Sequence, residues 1–155
     1  MAIHLEASRV IPLPQQEAYD LVRARPLPDI FADRYLAIPP IKETRDEPAT
    51  WDTVGQSRTI VLADGGTLRE ELTSVEDGKS FGYVITEVTG PMKALVAQVN
   101  GLWTFTPGGP GTKVTWSWEV QPKGILGKAA MPVFAKMWKG SANKALARIE
   151  GLATA

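Results

Sequence analysis

The sequence predicts an α+β fold in which an antiparallel sheet with one apolar face is closed by a long C-terminal helix. Three observations carry that expectation. Val114, Trp116, Trp118 and Val120 alternate with Thr115, Ser117 and Glu119, and successive strand side chains point to opposite faces, so two tryptophans share one face. Turn residues divide positions 41–120 into a series of alternating runs, the punctuation of a meander. Residues 126–152 then carry an apolar stripe at helical spacing, and two tryptophans on one face need such a cover.

The elements follow in order. Ile3, Leu5 and Ala7 alternate with His4, Glu6, Ser8 and Val10, a first strand over 3–11 whose inner face is ambiguous near Arg9. Pro12 and Pro14 stop it. Pro14 suits an early helical position, and Ala18, Tyr19, Leu21 and Val22 recur at helical spacing until Pro26, giving a helix of roughly three turns. Pro28, Asp29, Ile30, Phe31 and Tyr35 are read as a second short helix, closed by the Pro39-Pro40 pair.

A six-strand meander comes next: 41–45 leading to 50–53, then 57–63, 67–75, 81–88, 95–106 and 112–121. With the first strand this makes a sheet of six to seven strands. Gly55, Asp64-Gly65-Gly66, Asp77-Gly78, Gly90-Pro91 and the glycines of 108–111 separate the runs. Asn100-Gly101 is a hairpin signal that would split the 95–106 run, or else Gly101 marks a bulge in one long, curved strand; the bend is the preferred reading. In the last element Met131, Phe134, Met137, Trp138, Ala142, Ala145, Leu146, Ile149 and Leu152 trace the stripe, while Lys136, Lys139, Lys144 and Arg148 fall away from it. Pro132 fits only near the helix start. With no internal repeat and no long linker, residues 1–155 are expected to form one domain.

Composition bounds the function. A chain of 155 residues buries roughly 70% of its unfolded surface as one domain. Cysteine is absent, which removes disulfides, thiolate metal sites and cysteine nucleophiles and fits a reducing compartment, so a cytoplasmic location is the default expectation. Seventeen basic and seventeen acidic side chains cancel, leaving no broad positive field for nucleic acid or an anionic membrane. No stretch approaches the ~20 apolar residues of a membrane span, and the N-terminal residues carry no basic lead into an apolar run. Membrane insertion is not expected.

Trp51-Asp52-Thr53-Val54-Gly55, Arg58, Asp64-Gly65-Gly66, Glu70, Tyr83-Val84-Ile85 and Gly111-Thr112-Lys113-Val114-Thr115-Trp116, set in this order of elements, form a recognisable pattern. It resembles the polyketide cyclase/dehydrase branch of the SRPBCC, or START-like, superfamily, over essentially the whole chain. The resemblance implies a helix-grip architecture, in which a strongly bent antiparallel sheet wraps the C-terminal helix and leaves a cavity between them. Superfamily cavities hold hydrophobic small molecules, lipids and polyketide intermediates, and the chemistry differs widely between members.

Parity selects the residues that would face such a cavity. If Ile60 and Leu62 point inward so does Arg58; Glu70 goes with Leu68 and Leu72, and Tyr83 with Phe81 and Ile85. In a cyclase-like site the arginine or phenol would polarise a substrate carbonyl while the carboxylate withdraws an adjacent proton, making Arg58, Glu70 and Tyr83 the catalytic candidates. Alternatively Arg58 and Glu70 neutralise each other on neighbouring strands, or a bulge turns either to solvent. Trp103, Phe105, Trp116, Trp118, Phe134 and Trp138, with Ile60, Leu72 and Ile85, are the ligand-binding candidates, since aromatic walls suit a flat or polycyclic ligand. Core packing is the competing use of the same rings.

His4, the single histidine, lies opposite in parity to Ile3 and Leu5 and reads as exposed, which disfavours a histidine base or metal site. No motif demands a cofactor. Asp64-Gly65-Gly66 and the glycines of 108–111 are turns, because neither joins a strand to a helix. Glu17, Asp20, Glu43, Asp46 and Glu47 read as solvated, and residues 27–38 as a lid over the cavity mouth. Three functions follow: binding of an apolar polyketide-, lipid- or aromatic-like molecule, an aromatase/cyclase acting in the same cavity, or a protein-interaction module using an exposed apolar groove.

Overall fold

The computed structural model describes residues 2–155; Met1 lies outside the described residues. Seven antiparallel strands form one sheet in the order β1-β7-β6-β5-β4-β3-β2. They are β1 (Ile3–Ile11), β2 (Ile41–Arg45), β3 (Ser57–Leu62), β4 (Thr67–Glu76), β5 (Ser80–Thr86), β6 (Val96–Gly108) and β7 (Gly111–Pro122). From β2 onward each strand pairs with its successor, and β1 closes the order by pairing with β7, from Ile3 opposite Val120 to Ile11 opposite Thr112.

Helix α1 (Gln15–Ala24) and the single-turn α2 (Leu27–Ile30) follow β1, and α3 (Gly124–Ala153) is the last element. Pro14 is the N-cap of α1 rather than its first residue. The second helix is much shorter than its sequence pattern, because Phe31 leaves helical geometry at φ −100°, ψ 53°. Tyr35 and Ile38 then bond each other through their backbones, and Leu36 between them takes a positive φ of 52°. The 91–94 stretch, read only as a turn in the sequence, makes a short 3-10 turn leading into β6.

The inner face of the sheet is built by alternation. Leu5, Ala7 and Ile11 of β1, Val99, Trp103 and Phe105 of β6, and Val114, Trp116 and Val120 of β7 are all buried. From α3, Met131, Phe134, Trp138, Ala142, Ala145, Leu146 and Ile149 turn one stripe onto that face, packing chiefly against β1 and β7. Burying each large apolar side chain contributes about 1.5–3 kcal/mol. Pro132 lies inside α3, where it removes one backbone donor from the helical ladder. The ladder shifts register at Ile41/Glu43, Leu72/Ser74 and Val96/Gln98. Such irregularities bend strands and increase twist, and here they let the sheet grip α3.

At Asn100-Gly101 the preferred reading holds for the single long strand but not for a bulge at Gly101. β6 runs through as one strand, so there is no hairpin, and its register shift lies instead at Val96/Gln98. Gly101 pairs with Tyr83 on one side and Trp118 on the other. Among the described residues no helix is long and apolar enough to cross a membrane.

Candidate functional site

Sheet, α3 and the α2 segment do not meet everywhere. A cavity of about 220 Å³ lies between them, and engineered apolar cavities of about 150 Å³ already admit benzene. Trp103, Trp116 and Trp118 form its sheet wall, Phe134 and Trp138 its helix wall, and Phe31 covers them from the α2 side. The rings support one another: Trp103 stacks on Trp116 at 5.3 Å and 12°, and Trp138 lies 4.8 Å from Trp116. Phe31 sits 5.0 Å from Trp116, so part of the 27–38 stretch lies over the aromatic floor. Tyr35 turns away, with its ring packed over Gly140 of α3.

Of the nine ligand-binding candidates, Ile60 and Ile85 also line the cavity, whereas Leu72 and Phe105 do not. Both are fully buried elsewhere. Leu72 sits where β4 bonds the Gly55-Gln56 backbone, next to the register shift that ends the simple alternation. Phe105 lies against Tyr19 of α1, ring centroids 5.3 Å apart, beyond the cavity's end. Sequence parity names a face of the sheet, but cannot tell which stretch of that face is left uncovered. Leu68, Phe81, Met92 and Met137 line the cavity as well; the first two have the inward parity already noted, Met137 belongs to the α3 stripe, and Met92 carries no signal beyond apolarity.

Arg58 and Glu70 stand directly opposite each other on β3 and β4, both buried and both lining the cavity. Arg58 Nε donates to Glu70 Oε1 at 2.6 Å, and another guanidinium nitrogen donates to Glu47 Oε2, also at 2.6 Å. The guanidinium lies 3.9 Å from the centre of the buried Trp51 ring, a cation–π contact. Glu47 is therefore not a free surface carboxylate. It sits on the loop after β2, where no periodicity could have singled it out. Burial raises the Glu70 carboxyl above its ordinary value, against the opposing pull of Arg58. Neutralisation across neighbouring strands and an inward orientation thus hold together.

Tyr83 projects across Gly101 toward β7. Trp116 Nε1 donates to its hydroxyl at 2.7 Å and Trp118 Nε1 at 2.9 Å. Burial first, and the nearby Glu70 carboxyl second, hold the phenol pKa far above its ordinary value, so it remains protonated. His4 lies on the outer face of β1, exposed, and bonded through its ring to Glu119 and Glu6, which raise its pKa. Among the described residues no three His, Cys, Asp or Glu side chains gather in a metal-holding group.

A family model described as polyketide cyclase / dehydrase and lipid transport matches residues 2–154. No curated protein matches the chain. Among solved structures, the major latex-like protein 151 of Panax ginseng is 16% identical, with 97% of each chain covered and a TM-score of 0.72. A protein of Thermus thermophilus is 20% identical over 98% of this chain and 97% of that one, with a TM-score of 0.70. DynU16, from the dynemicin biosynthetic locus, is 17% identical over 95% of this chain and 47% of its own, with a TM-score of 0.64. At these identities the likeness is one of fold.

Proposed function

The chain belongs to the polyketide cyclase / dehydrase and lipid transport family, and from that premise we propose that it binds a hydrophobic, ring-containing or acyl small molecule between its sheet and α3. The observation that carries this reading is the aromatic cavity itself. Trp103, Trp116, Trp118, Phe134 and Trp138 surround about 220 Å³ that they do not fill, although close packing is the rule for protein interiors. Leaving it open forgoes dispersion contacts that a ligand would restore.

A cyclase-type enzyme is the second reading, favoured by the fact that Arg58, Glu70 and Tyr83 all line the same cavity. Their present bonding tempers it. Arg58 is engaged by two carboxylates, so polarising a substrate carbonyl with it would require one of those pairs to open.

The binding reading is tested with N-phenyl-1-naphthylamine, a neutral fluorescent probe, and by native mass spectrometry of gently purified protein. A one-to-one adduct and blue-shifted probe emission are expected. The absence of both a co-purified molecule and a probe response would dismiss the proposal. Turnover of a polyketide-like chain that vanishes in Glu70→Gln and Tyr83→Phe, with apolar probe affinity retained, would favour the enzyme.

A further inference from the structure

The hydroxyl of Tyr83 has almost exhausted its bonding capacity within the protein. A phenol oxygen accepts through two lone pairs and donates one hydrogen, while an indole N–H only donates. Trp116 and Trp118 occupy both lone pairs. The O–H hydrogen remains, and among the described residues it has no acceptor. Tyr83 is 5% exposed and lines the cavity, so solvent does not readily supply one. Two incoming N–H bonds also polarise the oxygen and strengthen what its hydrogen can donate.

A second donor lies close by. Trp138 lines the same cavity at 2% exposure, and its Nε1 is buried without a hydrogen-bond partner. Its ring is 4.8 Å from that of Trp116 and 5.8 Å from that of Trp118, the two indoles that hold Tyr83. A buried donor left unmet is unfavourable, and a ligand acceptor would relieve it. Of the cations that line the cavity, Arg58 is held between Glu70 and Glu47 and Arg23 donates to the Trp51 carbonyl, while Lys144 stands exposed on α3; the Glu70 carboxyl would repel an anion placed beside the phenol.

We infer that the cavity recognises an uncharged, mainly apolar molecule through one carbonyl-type oxygen, which accepts the Tyr83 O–H with the Trp138 N–H as neighbouring donor. This rests on the proposed binding in the cavity and names the functional group that the ligand must carry. A pure hydrocarbon leaves both donors unmet. A carboxylate accepting from Tyr83 brings its charge beside the Glu70 carboxyl.

The test compares 1-indanone with indane, two bicyclic probes of similar shape that differ by one carbonyl, using NMR titration of the indole N–H signals. The affinity ratio, ketone over hydrocarbon, is expected to exceed the ratio of their partitioning into cyclohexane by about 3–10-fold, the worth of one net hydrogen bond. The carbonyl stretch of bound 1-indanone should lie below its frequency in hexane. Tyr83→Phe should remove most of the ketone preference and the frequency shift while leaving indane affinity within about 2-fold; Trp138→Phe should reduce the preference less. An unshifted carbonyl in the wild-type complex overturns the inference even if Tyr83→Phe does not fold, as does an unchanged preference in a folded Tyr83→Phe. If the affinity ratio only matches the partitioning ratio, cavity binding survives and the recognition role of Tyr83 does not; if neither binds, both readings fall.

Discussion

Gly101 stands opposite Tyr83 in the β5–β6 pair, and the phenol ring occupies the place where a Cβ of residue 101 would project. The glycine serves as the seat over which the tyrosine reaches the indoles of β7. Gly101→Ala is therefore expected to displace the ring, breaking both indole bonds. Overpacking and the lost buried bonds together should cost about 2–4 kcal/mol. Urea unfolding measures the loss, and the indole N–H signals of Trp116 and Trp118 should move together. Unmoved signals in a destabilised variant would show that the seat is not what holds the phenol.

The Arg58–Glu70 pair should be strongly coupled. Arg58→Met leaves a buried carboxylate without its guanidinium and is expected to cost about 3–5 kcal/mol near pH 8, whereas Arg58→Met combined with Glu70→Leu should recover much of that loss. Additive single-variant losses in a double-mutant cycle would contradict the buried geometry.

The same carboxyl gives stability a pH slope. Glu70 has a folded pKa above its unfolded value, so the folded state keeps the proton longer and this group's contribution is greatest below about pH 4, the unfolded range. It declines as pH rises from there through the folded pKa. Glu70→Gln, which cannot ionise, should flatten that part of the stability curve measured by urea unfolding from pH 4 upward. A curve identical to wild type would place the titration elsewhere.

His4 makes a smaller test at the surface. Bonds to Glu119 and Glu6 raise its pKa above 6.5, so its contribution is complete below the unfolded value and disappears as pH rises through the folded one. With the side chain half exposed, the effect on stability is slight. NMR titration of the ring protons should show the raised midpoint, and Glu119→Gln should bring it back toward 6.5.

Ser141 lines the cavity from α3 but is only partly buried, so a larger side chain there can enter the open space without displacing the core. Ser141→Phe is expected to weaken N-phenyl-1-naphthylamine binding at least about 10-fold while changing stability by under about 1.5 kcal/mol. Undiminished binding in the folded variant would place the probe outside the cavity.

Much of this architecture is legible in the sequence because period and punctuation agree. Apart from 50–53, which lies in no strand because β2 ends at Arg45, the strand runs lie within a few residues of their observed bounds, and the α3 stripe faces the sheet as its spacing requires. Arg58 and Glu70 can be placed on the inner face because the β3–β4 register between Ser57 and Glu71 is unbroken; the first irregularity comes only at Leu72/Ser74. The second helix is overestimated because apolar spacing says nothing of Leu36, whose positive φ belongs to a turn. Gly101 misleads because a glycine that makes room for a ring on the neighbouring strand looks, in one dimension, like a glycine that makes a turn. Glu47 escapes because a loop carries no period, and Trp51, expected in the 50–53 extension of the second strand, lies in that loop too; their partnership with Arg58 exists only once the chain has folded.

The pairing of β1 with β7 sets a condition on how the nascent chain becomes this protein. Ile3 finds its ladder partner at Val120, and at ribosomal speeds of about 5–20 residues per second the first strand waits roughly 5–25 s for that partner to be made. During that interval Leu5, Ala7 and Ile11 have neither sheet nor α3 to cover them. Docking of β1 onto β7 is thus the step that completes the seven-stranded sheet.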